Sequence, residues 1–176
     1  MKSTLLLTAF AAAGFLAVVT AVSGVSAAPA SSTTPAQASL AGPPREQTLY
    51  GHIRSLTRKG ARFELRFDPA FWLGGVTATR AAVEDKVIPP GDIVPNDYYV
   101  RDESHRLLTY RVPATAHVTV LTRGPRSTAI AVSELAQIVR GKNPRRRPLY
   151  DRGNHLGYWI RFRLDTVRSL DQQYQP

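Results

Sequence analysis

The 176-residue chain contains no cysteine. That absence excludes disulfides, thiolate metal ligands and a cysteine nucleophile. It also excludes a lipid-anchored precursor, which needs a cysteine at its cleavage site. A domain built this way outside a reducing compartment has to be held by its own core. Lysine is scarce: Lys2, Lys59, Lys86 and Lys142 are the four among 23 basic residues, so the positive charge is almost all arginine. Acids are outnumbered, 13 against 23. No glycine-rich phosphate loop, no His-x-His or His-Glu-x-x-His pair and no internal repeat is present.

The first 27 residues read as a secretory signal peptide. Lys2 supplies the basic start, Leu5 to Val22 is nearly continuous apolar sequence, and Val25-Ser26-Ala27 fits the small-x-small cleavage rule. Ala28-Pro29-Ala30 is a second possible site, and an uncleaved anchor is the alternative, because the apolar run is long enough to span a bilayer. Residues 28–46, rich in Ala, Ser, Thr and Pro, lack the apolar content to offset chain entropy and read as a disordered linker. Residues 47–176 then form a single domain, since about 130 residues suit one compact unit.

Loss of Lys2 with the signal leaves 22 basic residues against 13 acids. Arginine pairs bidentately with carboxylate and phosphate, so a basic exported protein is drawn to anionic envelope polymers, lipid headgroups or nucleic acid. The competing explanation is that the arginine reflects a GC-rich coding sequence and solubility alone.

Within the domain, Thr48–Leu56 and Ala61–Asp68 read as two strands of a hairpin turning at Arg58-Lys59-Gly60. Phe63, Leu65 and Phe67 face in and Arg62, Glu64 and Arg66 face out. Pro69 is expected to end the second strand. Thr77 is expected to cap a short helix to Asp85, with Glu84 and Asp85 badly placed against the helix dipole. Tyr98–Arg101 and Leu107–Val112 read as a strand and its return about a turn at 102–105, and Ala116–Leu121 as a further strand. Gly124-Pro125 opens a loop. Ser133 is expected to cap a two-turn helix closed by Arg140, Gly141 and Pro144. Tyr158, Ile160, Phe162 and Leu164 alternate with Trp159, Arg161, Arg163 and Asp165, which predicts one half-buried strand over 157–167 and then a polar tail. These elements predict a β-dominated α+β domain: a small, partly open, OB-like barrel with two short helices, or alternatively a curved antiparallel sheet with both helices on one face.

Over most of Leu49–Pro176 the chain resembles uncharacterised exported proteins of high-GC Gram-positive bacteria. The shared words are Val94-Pro95-Asn96-Asp97-Tyr98-Tyr99, Leu107 to Pro113, Gly153-Asn154-His155-Leu156-Gly157-Tyr158-Trp159 and Ser169 to Tyr174. The resemblance implies export and no mechanism, because that group carries no assigned activity.

Two constellations could carry function. Arg140, Lys142, Arg145, Arg146, Arg147 and Arg152 crowd one segment with Asp151 as its single acid, and Pro144 and Pro148 keep it irregular. Trp159, Arg161 and Arg163 follow on the last strand, and with His52, Arg54, Arg62 and Arg66 they could line an aromatic-basic groove. The ordinary explanations are a solvated connector and a covered tryptophan whose arginine neighbours reach to water. His52, His117 and His155 could converge on zinc, although nothing in their spacing demands it. Asp97 beside Tyr98, the 102–105 turn with Ser104 and His105, and Asp151 near His155 all have turn explanations.

Three readings follow. The first is an exported, monomeric or weakly associating binding module that contacts an anionic envelope polymer, a similar polyanion or an acidic partner surface through an Arg-rich surface, with no cofactor and no stable membrane span once the signal is removed. The second is a metal-dependent or acid-base hydrolase using the histidines. The third is a structural or inhibitory partner of another exported protein.

Overall fold

A computed structural model describes residues 44–103, 106–123, 125–151 and 155–176. The expected signal peptide and most of the expected linker lie outside the described residues, as do Ser104, His105 and Arg152. Among the described residues no helix is long and apolar enough to cross a membrane.

The hairpin is the largest element. Strand β1 (Gln47–Lys59) pairs antiparallel with β2 (Arg62–Gly74) from Tyr50↔Ala70 to Lys59↔Arg62. Gly60 makes the turn at φ +63, a conformation without steric cost for glycine. Phe63, Leu65 and Phe67 are buried as their alternation requires. Pro69 does not end β2, contrary to expectation. It falls between the residues of β2 that pair with β4 (Leu108–Pro113) and those that pair with β3 (Tyr98–Arg101), so its missing N–H interrupts neither ladder. Phe71, Trp72 and Leu73 are therefore strand residues.

β3 and β4 are not a hairpin. Both run antiparallel to β2, with Arg101 opposite Phe71 and Leu108 opposite Phe67, so they lie in tandem with a loop between them. Helix α1 (Gly75–Glu84) precedes β3 and begins at Gly74 with no side-chain cap, so Thr77 is inside it. Its misplaced acids are matched from outside the helix. Arg101 donates from Nε to Asp85 Oδ2 at 2.8 Å, and from Nη2 to Glu84 Oε2 at 3.1 Å and to the Ala81 carbonyl at 3.0 Å. This pairing holds the Asp85 carboxyl below the usual carboxylate range and removes the clash with the dipole.

β5 (His117–Thr122) turns into β6 (Arg126–Ala129), a short strand where a loop was expected. Helix α2 (Val132–Ile138) follows, starting at Ala131 without a side-chain cap, so Ser133 lies within it. Gly141 stops it as expected: at φ +74 its N–H reaches the Ile138 carbonyl, and the Lys142 N–H reaches that of Gln137. That pair of bonds is a Schellman stop.

The expected last strand is two. β7 (Tyr158–Arg163) and β8 (Thr166–Gln172) pair antiparallel about a turn at Leu164-Asp165. Tyr158, Ile160 and Phe162 are buried, but Leu164 is 71 % exposed at φ +56. It forms the turn and is no part of the core.

The molecule is β-dominated, and its sheet is curved and mixed. The antiparallel alternative is corrected, because β8 pairs parallel with β4 and with β5. β1, β2, β4, β8 and β7 each pair with the next, and β7 pairs back to β1, so five strands run round a ring. Between β4 and β8 the ring has a single register pair, Arg111↔Thr166, reinforced by an Arg111–Asp165 ion pair. Leu65, Phe67, Val112, Tyr158, Ile160, Val167 and Leu170 fill the interior, and α2 adds Val132, Leu135, Ala136 and Ile138 to the same cluster. Each large side chain so buried contributes about 1.5–3 kcal/mol. α1 packs elsewhere, in a smaller cluster of Ala78, Ala82 and Val94, so the helices do not share a face.

Candidate polyanion-binding surface

The basic run after α2 is a fixed structure. Its anchor is Glu134 in the first turn of α2, where a carboxylate suits the helix dipole but burial to 4 % exposure requires a cation. Arg147 supplies it, with Nε 2.5 Å from Oε1 and Nη2 3.3 Å from Oε2, and the pair raises the arginine pKa. Asn143 clamps the same loop from both sides: Nδ2 donates to the Arg147 carbonyl at 2.7 Å and Oδ1 accepts from its N–H at 2.9 Å. Leu149 is buried and bridges to Thr122. The Arg123 N–H reaches the Pro148 carbonyl, and the Tyr150 N–H reaches that of Leu121.

This anchoring divides the predicted residues. Arg147 is structural, and Arg140 donates from Nε to the Ala136 carbonyl at the end of α2. Arg145 keeps only a 3.5 Å contact to Glu134 and is otherwise exposed. Lys142 and Arg146 are exposed and pair with no acid among the described residues. Docking the loop against β5 also brings in Arg123 and Arg126, both exposed at the β5–β6 turn. Sequence reasoning missed this pair because β6 was not expected. The signal available was Arg-Gly-Pro-Arg, a basic turn between β-branched runs.

On β7, Trp159 is half-buried between the rings of Tyr50 and Trp72 and donates from Nε1 to Gln173 Oε1 at 2.9 Å. Arg161 donates from Nε to Ser169 Oγ at 2.8 Å. Arg163 is exposed and pairs with no acid among the described residues. The expected single groove is split. Arg161 lies opposite Thr48, whereas Arg62 lies opposite Lys59 on the same strand, a separation of about 35 Å along β1. Arg54 is committed to Asp68, reaching Oδ2 from Nε at 2.8 Å and from Nη2 at 2.5 Å.

The histidines do not assemble. His52 is half-buried on β1, and burial holds it below the usual imidazole range. His117 is exposed on β5, and His155 is exposed before β7. Among the described residues no group of three His, Cys, Asp or Glu could hold a metal ion. Asp151 Oδ2 accepts the Leu156 N–H at 2.8 Å, a loop-closing role. Asp68 is 1 % exposed, and its Oδ1 has no hydrogen-bond partner among the described residues.

Charge is segregated along the chain. Residues 70–103 carry six acids and three basic residues, while residues 106–176 carry thirteen basic residues and four acids. No family model, curated protein or solved structure matches the chain.

Proposed function

We propose that this protein is an exported binding module that holds an anionic polymer on the basic half of a small, partly open, OB-like barrel. The observation that carries the reading is the anchored loop after α2. Glu134, Asn143 and Leu149 fix it so that Lys142, Arg145 and Arg146 face solvent beside Arg123 and Arg126. A pre-positioned cationic surface loses little entropy on binding. The strand order supports the barrel reading: β1, β2 and β4, then α2, then β7 and β8, with β4 and β8 parallel. The OB plan places its helix before the last two strands of a five-stranded ring.

The test is retention on immobilised heparin and polyphosphate at low salt. The chain should bind both and elute as salt rises, because each neutralised anion adds to the salt dependence. Lys142→Glu with Arg146→Glu should shift elution to markedly lower salt. Flow-through of the unaltered protein at low salt would remove the reading.

A further inference from the structure

The two tryptophans of the chain, Trp72 and Trp159, stand at one cleft of about 320 Å³ that is also lined by Leu49, Tyr50 and Phe71. Their ring centroids lie 6.5 Å apart, with the planes tilted by 54°. Both are held before any ligand arrives. Trp72 stacks on Tyr98 at 4.4 Å and 6°, Trp159 is tied to Gln173, and Tyr50 sits 5.1 Å from each ring. Phe71, at the cleft's edge, is 58 % exposed. Two residues along β7 from Trp159, and so on the same face, Arg161 is oriented by Ser169 Oγ at 2.8 Å and has Asp171 3.8 Å from Nη2. Its side chain remains 52 % exposed. A fixed aromatic slot therefore has an aimed cation beside it.

We infer that this cleft takes a sugar ring of an acidic polysaccharide, with Phe71 and the indoles against the C–H faces of the ring and Arg161 on its anionic substituent. The inference deepens the polyanion reading and rests on it. A nucleobase is a poorer occupant. A base stacks on an open aromatic face, and Trp72 has a face already taken by Tyr98. The open edge of this tilted cluster, with exposed Phe71 beside it, offers C–H contact to one face of a puckered ring. The slot also connects with the basic loop: Tyr174, next to Gln173, lies 5.3 Å from Tyr150.

Because both tryptophans lie at the cleft, their emission reports on it directly. The probes are a hyaluronan hexasaccharide, a neutral gluco-oligosaccharide of equal length and an oligothymidylate, titrated at low salt with emission and calorimetry in parallel. The hyaluronan fragment should change the emission. Phe71→Ser and Arg161→Gln should each weaken its binding about five- to tenfold, with thermal midpoints recorded to confirm folding. The exposed Phe71 provides the variant least able to disturb the fold. An equal emission change with the neutral sugar or the oligothymidylate overturns the inference. So does polyanion binding with silent emission and unchanged affinity in Phe71→Ser, which leaves the broader reading standing. Failure of every polyanion to bind removes both.

Discussion

Gly51 lies between β2 and β7, opposite Pro69 and Tyr158. A Cβ there would sit 2.1 Å from the Asp68 carbonyl and 2.9 Å from a ring carbon of Phe67. Backbone on one side and core on the other leave nothing free to yield. Gly51→Ala should therefore lower stability by about 3 kcal/mol or more, read as a lower urea midpoint. Beside it, Tyr50 has its phenol pushed up to about 12 by burial, while its hydroxyl accepts from Gln175 Nε2 at 2.7 Å. The sign follows from linkage. The unfolded phenol titrates near its ordinary value of 10.0, so the full contribution holds below that pH and is lost as pH rises towards about 12. Stability should fall over that window, and Tyr50→Phe should make the fall shallower in urea titrations at stepped alkaline pH. Buried Tyr158, raised in the same direction, keeps some slope in the variant. Tyr158 was legible as an inward position of an alternating strand, whereas Tyr50 was legible only as a strand residue. The close approach at Gly51 was not, because the sequence does not say which backbone crosses it.

At the scale of the element, α1 is a helix with the wrong charges at its end. Arg101 corrects this from β3, where it also meets Glu103 at 3.4 Å. Arg101→Met should leave Glu84 with only its exposed contact to Arg80, and Asp85 with only the Tyr99 hydroxyl, against the helix dipole. Amide exchange should then quicken from Val83 to Val87 and stay unchanged in β7. The sequence exposed the problem at the helix end and left its solution out of sight, since the partner lies 16 residues away. Legibility elsewhere followed the same division. The β1–β2 hairpin, β3, β5 and the stop of α2 rest on local pattern and were readable. β8 was not, because Ser169, Asp171 and Gln172 look like solvent-facing residues. Their polar groups are matched within the fold: Arg161 reaches Ser169, Thr119 reaches Asp171 at 2.8 Å, and the Leu121 N–H reaches Gln172 Oε1 at 2.8 Å. Leu164 gave no turn signal, and Pro69 gave a false one.

For the molecule as a whole, the sign of the charge was readable and its distribution in space was not. Arg123 and Arg126 join the basic surface only because β6 folds back on β5, and Arg140 and Arg147 leave it because the fold uses them. The ring has its own consequence for how the chain assembles. The two hairpins, β1–β2 and β7–β8, join neighbours in sequence and can form early, whereas the ring closes through non-local junctions. Among these are the five-pair β1–β7 ladder and the single Arg111↔Thr166 pair across 54 intervening residues, which is the weaker of the two. Contacts made after the transition state govern how fast the native chain comes apart rather than how fast it forms. Thr166→Ala, or Arg111→Met, should speed unfolding and leave the refolding limb of a denaturant chevron where it was. A matching drop in the refolding rate would place that junction in the nucleus. On this account the seam is the clasp of the molecule, fastened last and first to be undone.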